Sequence, residues 1–207
     1  MLKLYDSLSK KQQEDFSEIY YYSFPSYERR PFEILIENSI TGNYQLYALI
    51  INNHVEAIAC VFTPKNNRLC LLDYFAVKEN NRGKGIGSAL FQELINRMKS
   101  LEQILILEVE DPTFGENNEE KIKRIHFYER NGAILIQNYN YLLPDLDGND
   151  QTTPMKLMFA PNSENTIQWS ENLPSFINLV FRDLYLCNED NEILSLNIKN
   201  LSVFLII

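Results

Sequence analysis

Arg82-Gly83-Lys84-Gly85-Ile86-Gly87-Ser88 stands between two periodic segments of opposite kind. Before it, Leu69–Val77 is an apolar, strand-like run. After it, Ile86, Leu90, Leu94 and Met98 recur every four residues, widened by Ala89, Phe91 and Ile95, as on a core-packed helix. The glycines let a ligand approach the main chain closely. The first N–H groups of the helix lack intrahelical acceptors, and the helix dipole adds roughly half a positive charge there. Arg82 and Lys84 reinforce that potential, so the stretch reads as a pyrophosphate site. Its spacing argues against two nucleotide loops. The pattern of glycine, four residues and Gly-Lys is absent, and in G-x-G-x-x-G counted from Gly83 the sixth residue is Ser88.

Upstream, residues 1–5 read as a short strand and Ser9 to about Tyr22 as an amphipathic helix stopped by Pro25. Pro31 opens a second short helix ending near Asn38. Tyr44–Ile51 and Val55–Thr63 flank Asn52-Asn53-His54, a hairpin signal, and Leu69–Val77 completes an antiparallel meander. Downstream, Ile104–Glu110 is a strand, so strand, helix and strand form a βαβ unit with a parallel pair. A helix from about Glu119 to Asn131 closes at Gly132. Strands are expected over Ala133–Tyr141 and Pro154–Phe159, with a turn-rich stretch, Pro144 to Asp150, between them. The tail predicts a helix near Ser175–Tyr185 and two strand-like runs, Glu192–Ile198 and Leu201–Ile207.

The segment Arg82-Gly83-Lys84-Gly85-Ile86-Gly87 after Tyr74-Phe75-Ala76-Val77, followed by Phe127-Tyr128-Glu129-Arg130-Asn131-Gly132-Ala133, resembles the GNAT N-acetyltransferase superfamily. The order of elements over roughly residues 1–160 is similar too. The resemblance implies an α+β, three-layer fold: a central, mostly antiparallel twisted sheet with one splayed parallel strand pair, flanked by helices. It implies that N–H groups of Gly83, Lys84, Gly85, Ile86, Gly87 and Ser88, with Arg82, hold the diphosphate of acetyl-CoA. Main-chain groups of Phe75, Ala76 and Val77 would meet the pantetheine and the thioester carbonyl, an oxyanion-type arrangement. Residues 161–207 lie beyond the minimal superfamily fold and form a C-terminal extension, buried on the domain or in a homodimer interface.

Acetyl transfer to an amine needs a proton acceptor, because an alkyl amine with a pKa near 10 is only about 0.1% neutral at pH 7. The leaving thiolate can take a proton from an acid. Tyr128 sits where the superfamily often places that acid. Strand alternation puts Ile104, Ile106, Glu108 and Glu110 on one face, with both carboxylates near the strand's end. Like-charge proximity and partial burial would raise at least one carboxyl pKa. Leu107-Glu108-Val109 is similar to the segment that carries the catalytic glutamate of ribosomal-protein N-acetyltransferases, although the following loop is longer here and lacks their asparagine. Asp73 is the rival base, an acid inside an apolar strand, either satisfied structurally or part of the site. In the superfamily the link Ser26 to Arg30 borders the acceptor, so Glu28 can attract a cation, or Arg29 and Arg30 an anion; a solvated turn is the alternative. Arg124, one helical turn before Tyr128, can reach a CoA phosphate or pair with Glu120. His126 and His54 read as surface or packing residues.

The chain has 207 residues, 45% of them hydrophobic, enough for one sizeable core, and a formal charge of −9. That charge argues against nucleic acid and leans toward a cationic small molecule as the amine acceptor, although a peptide amine stays open. No apolar run approaches membrane length, and the start lacks a signal-peptide core, so a cytoplasmic protein is expected. Cys60, Cys70 and Cys187 have no metal spacing and no motif for a covalent acetyl intermediate. The leading expectation is therefore an acetyl-CoA-dependent N-acetyltransferase that works by direct attack, with no metal. The competing readings are a non-catalytic acyl-CoA-binding module that uses its extension for a partner, and a dinucleotide-binding oxidoreductase.

Overall fold

A computed structural model describes residues 1–26, 28–144, 152–161 and 169–204. The chain divides into two compact units, Met1–Asn66 with Leu72–Leu101, and Asn67–Leu71 with Glu102–Ile207.

In the first unit β1 (Leu2–Leu4) is followed by α1 (Lys10–Ser23) and α2 (Phe32–Thr41). Then come β2 (Tyr44–Ile51), β3 (His54–Phe62) and β4 (Leu69–Val77), of which 72–77 belong here, and α3 (Ile86–Ser100). Ser9 and Gln12 start α1 with a capping box, each side chain bonding the other's main-chain N–H. β1 and β2 run antiparallel, Leu2 opposite Leu49; β2 and β3 run antiparallel from Tyr44 opposite Phe62 to Ile51 opposite His54. Their two-residue turn needs positive φ at both positions, and asparagines supply it: Asn52 at 49° and Asn53 at 67°. β4 lies beside β3. Of the stripe foreseen on α3, Leu90, Phe91, Leu94 and Met98 are buried, Ile86 and Ile95 are half-buried at its edges and Ala89 is exposed.

In the second unit the start of β4 pairs with β5 (Ile104–Glu110), Ile104 N–H donating to the Arg68 carbonyl at 2.8 Å. Among the described residues this is the one parallel pair of an otherwise mostly antiparallel α+β fold. α4 (Asn118–Arg130), β6 (Ile134–Leu135), β7 (Tyr141–Leu143), β8 (Thr153–Ala160), α5 (Trp169–Leu179) and α6 (Glu192–Phe204) follow. β5 pairs antiparallel with β8, Leu105 opposite Ala160 and Glu110 opposite Met155, and β6 and β7 both pair with β8.

Two expectations fail here. The strand foreseen over Ala133–Tyr141 is broken into β6 and β7, because the polar stretch between them carries Asn138 in the left-handed region at φ 58°, which interrupts the ladder. The strand-like runs foreseen after Glu192 are one helix, α6, as far as Phe204; residues 205–207 lie outside the described ones. The alternation of Leu194, Leu196 and Ile198 was misleading. Leu194, Asn197 and Leu201 are the buried positions, a helical spacing of three and four, while Leu196 is exposed. The segment beyond 160 packs within the second unit: Asn197 Nδ2 donates to the Leu142 carbonyl at 2.8 Å and its Oδ1 accepts from Leu142 N–H at 2.9 Å. The turn-rich residues 145–150 lie outside the described ones.

Candidate active site

The glycine segment forms a tight approach to α3. Glu79–Asn81 make one 3-10 turn, then Gly83 and Gly85 adopt φ of 75° and 81°. Both angles favour glycine, the only residue with no Cβ penalty there. Gly85 is the N-cap of α3 and offers no side chain to its amides. Ala89 N–H turns back to the Gly85 carbonyl at 3.0 Å, but among the described residues the N–H groups of residues 83–88 meet no acceptor in the chain. Such a run of unanswered donors at a helix N-terminus fits an anion. Arg82 and Lys84 are exposed beside it. Arg82 Nε donates to the Val77 carbonyl at 3.3 Å and Lys84 Nζ to Asn81 Oδ1 at 2.9 Å, so both cations are tied to the loop they charge.

Asp73 on β4 is a satisfied acid. Its Oδ2 accepts from Arg30 Nη1 at 2.5 Å and from the Tyr44 hydroxyl. Arg30 is held at its main chain too, where its N–H donates to the Tyr74 hydroxyl at 3.1 Å and its carbonyl accepts from Tyr20 at 2.9 Å. Tyr74 donates in turn to the Glu28 carbonyl at 3.2 Å. The link between α1 and α2 is thereby stapled to β4, with the Glu28 side chain exposed. Arg29 spends its guanidinium on α1, donating to the Tyr21 and Phe24 carbonyls at 2.8 and 2.7 Å and stacking over the Tyr21 ring.

In the second unit two phenols bond Glu108. The Tyr141 hydroxyl donates to Oε1 at 2.5 Å and the Tyr185 hydroxyl donates to Oε2. Glu110, two residues on, has a separate set: Arg124 Nη1 at 2.8 Å and Lys121 Nζ at 3.8 Å. Arg124 therefore pairs with Glu110 rather than with Glu120. Tyr128 lies buried on α4, its ring edge-on to Phe127, and burial pushes its hydroxyl up to about 12 although Arg124 pulls the other way. The Phe-Tyr-Glu-Arg-Asn-Gly-Ala motif has a structural job of its own. Ala133 N–H donates to the Tyr128 carbonyl at 3.0 Å and Gly132 N–H to the Glu129 carbonyl at 2.9 Å, with Gly132 at φ 96°, a Schellman cap. His126 is exposed, and His54 sits 3.5 Å from Asp15 at the hairpin turn. Burial raises the Cys60 and Cys70 thiols, which disfavours thiolate chemistry at either. Among the described residues no group of His, Cys, Asp and Glu could hold a metal ion, and no helix is long and apolar enough to cross a membrane.

Residues 42–132 match the family model described as acetyltransferase (GNAT) domain. Over that stretch the chain is similar to a GNAT acetyltransferase domain. Solved structures agree on the fold. A protein assigned to the GNAT acetyltransferases from Bacteroides thetaiotaomicron is 21% identical, with a TM-score of 0.73, over 91% of this chain and 99% of its own. That coverage cannot be met by residues 1–160 alone, so the relative shares part of the segment beyond. A ribosomal-protein alanine N-acetyltransferase from Escherichia coli is 20% identical, TM-score 0.56, over 81% of this chain and 98% of its own. An aminoglycoside 6'-N-acetyltransferase from Enterococcus faecium is 16% identical, TM-score 0.58, over 80% and 98%. None of the curated proteins compared with the chain matches it.

The GNAT match ends at Gly132, short of Tyr141 and Tyr185, the two residues on Glu108. Sequence reasoning missed both of them, and Tyr44 beside Asp73. Tyr185 is 77 positions from Glu108 and in no motif; only the packing of the tail brings it there.

Proposed function

We propose that this chain is an acetyl-CoA-dependent N-acetyltransferase that moves an acetyl group to a primary amine by direct attack on the thioester. The observation that carries the reading is the run of donors over residues 83–88 at the N-terminus of α3, with Arg82 and Lys84 alongside. In this reading those amides grip the coenzyme's diphosphate, and the main chain of Phe75, Ala76 and Val77 receives the pantetheine and the thioester carbonyl.

The amine nitrogen, once neutral, forms its bond to the carbonyl carbon, and the carbon–sulfur bond then breaks to release the thiolate. Glu108 is the favoured base. Asp73 faces a guanidinium that neutralises its charge in place, whereas the two phenols that bond Glu108 bring no charge of their own. Tyr128 holds its proton at neutral pH and donates a hydrogen bond to the departing sulfur. Glu110 and Arg124 form a charged pair in the second unit, and the Glu28 side chain is exposed in the first. A cationic small-molecule amine suits this charge pattern; a peptide amine is the other arm of the test.

Titration of acetyl-CoA into the folded protein by calorimetry, with thiol release measured across polyamines, aminoglycosides and peptides, tests the reading. Binding with turnover on at least one amine is the expected result. Absence of binding heat sinks it, and binding without thiol release on any amine leaves a coenzyme-binding module instead.

A further inference from the structure

Tyr185 reaches Glu108 through an irregular piece of backbone. α5 runs into a π-helical turn, Val180–Leu184, and Tyr185 N–H donates to the Val180 carbonyl at 3.0 Å, a five-residue step. Such a turn carries the following residue round from where the α-helical repeat would set it, and π turns are frequent at functional sites. Leu186 then adopts φ 56° while 81% exposed, and Cys187 N–H closes onto the Phe181 carbonyl at 2.9 Å. A leucine in the left-handed region is strained, and this one buries almost nothing in return. What the irregular turn does accomplish is to aim Tyr185. Its ring meets Phe181 edge-on at 5.7 Å, Phe181 meets Tyr141 at 6.4 Å, and both tyrosines place their hydroxyls on Glu108. Two donors on two oxygens is the pattern of an ionised carboxylate, which can only accept.

We propose that Tyr185 is a positioning residue for Glu108, so that the segment beyond residue 160 is a working part of the transferase and not an appendage. The proposal rests on the reading of Glu108 as the base. A carboxylate that loses a donor gains freedom about its χ angles, and a base must be held within hydrogen-bond reach of the proton that it takes. The groups around Glu108 are Tyr139 and Tyr141 from the β7 side and Tyr185 from the tail. Along β5 stands Glu110, whose charge Arg124 and Lys121 answer. The hydroxyls of Tyr141 and Tyr185, one on each carboxylate oxygen, are the contacts through which these groups hold it in register.

The test compares Glu108→Gln with Tyr185→Phe, reading kcat, acetyl-CoA Kd and the carbon-13 titration of the Glu108 carboxyl. Tyr185→Phe is expected to lower kcat about 3- to 10-fold, the worth of one hydrogen bond, with Kd unchanged. The Glu108 titration should move up by about half to one pH unit as a donor to its charged form is lost. Wild-type kcat and an unmoved titration in Tyr185→Phe, with Glu108→Gln inactive, overturn the positioning role and leave the base standing. Full turnover in Glu108→Gln overturns the base reading instead. Should Tyr185→Phe not fold, difluorotyrosine placed at position 185 keeps the ring and strengthens the donor. The Glu108 titration should then move down, and no movement overturns the proposal.

Discussion

At Tyr128 the cost of burial sets what the residue can do. With its hydroxyl pushed up to about 12, full proton transfer to a thiolate near 8.5 is roughly three pH units uphill, so in the proposed reaction its contribution is a hydrogen bond that strengthens as the sulfur departs. Tyr128→Phe should therefore lower kcat about 10²-fold with acetyl-CoA affinity unchanged, and steady-state kinetics with calorimetry would show both. An alkaline fall in kcat between pH 7 and 10 is not expected from this group, since it stays protonated there. At Gly85 the constraint is different. A side chain there meets no atom within 4 Å, but φ of 81° strains it, and Gly85→Glu brings a negative charge to the proposed diphosphate site. Calorimetry should find acetyl-CoA binding abolished while the thermal transition persists; full binding would remove the diphosphate grip from this helix.

Among the elements, the C-terminal helices are held by a few polar contacts whose loss is measurable. Asn197, fully buried on α6, pairs both its amide groups with the main chain of Leu142, as a neighbouring strand would. Asn197→Leu leaves a main-chain donor and acceptor without partners, and should cost about 2–4 kcal/mol in a urea titration. α4 depends on its cap in a similar way. Gly132→Ala, at φ 96°, should cost about 1 kcal/mol and loosen the bond from Ala133 to the Tyr128 carbonyl. The sites Gly132 and Gly85 show two uses of one residue: the first ends a helix, and the second begins one with its amides uncovered.

For the molecule as a whole, acid stability follows from two buried carboxylates, one in each unit. Burial, the largest single effect, raises Asp15, but Lys11, His54 and Lys78 together outweigh it and leave its pKa lowered. Asp111 is raised by burial and lowered more by Lys156 and by the N–H and hydroxyl of Thr113. A carboxylate whose folded pKa lies below its unfolded one contributes stability that is complete above the unfolded value and is lost as pH falls through the folded value. The melting temperature should therefore be flat above about pH 5 and fall steeply below pH 4. Asp111→Asn should flatten part of that fall, and an equally steep curve in the variant would remove Asp111 from the account. The glycine turn, the period of α3, the hairpin asparagines and the Gly132 cap were legible in the amino-acid order, because each is a local rule: backbone angles, helical repeat and capping act over a few residues. The partners of Asp73 and Glu108, the breaking of the strand at Asn138 and the helical state of the tail were not. Those depend on which groups, 29 to 77 positions apart, meet in the folded chain, and on burial, which decides whether an apolar alternation becomes a strand or one face of a helix.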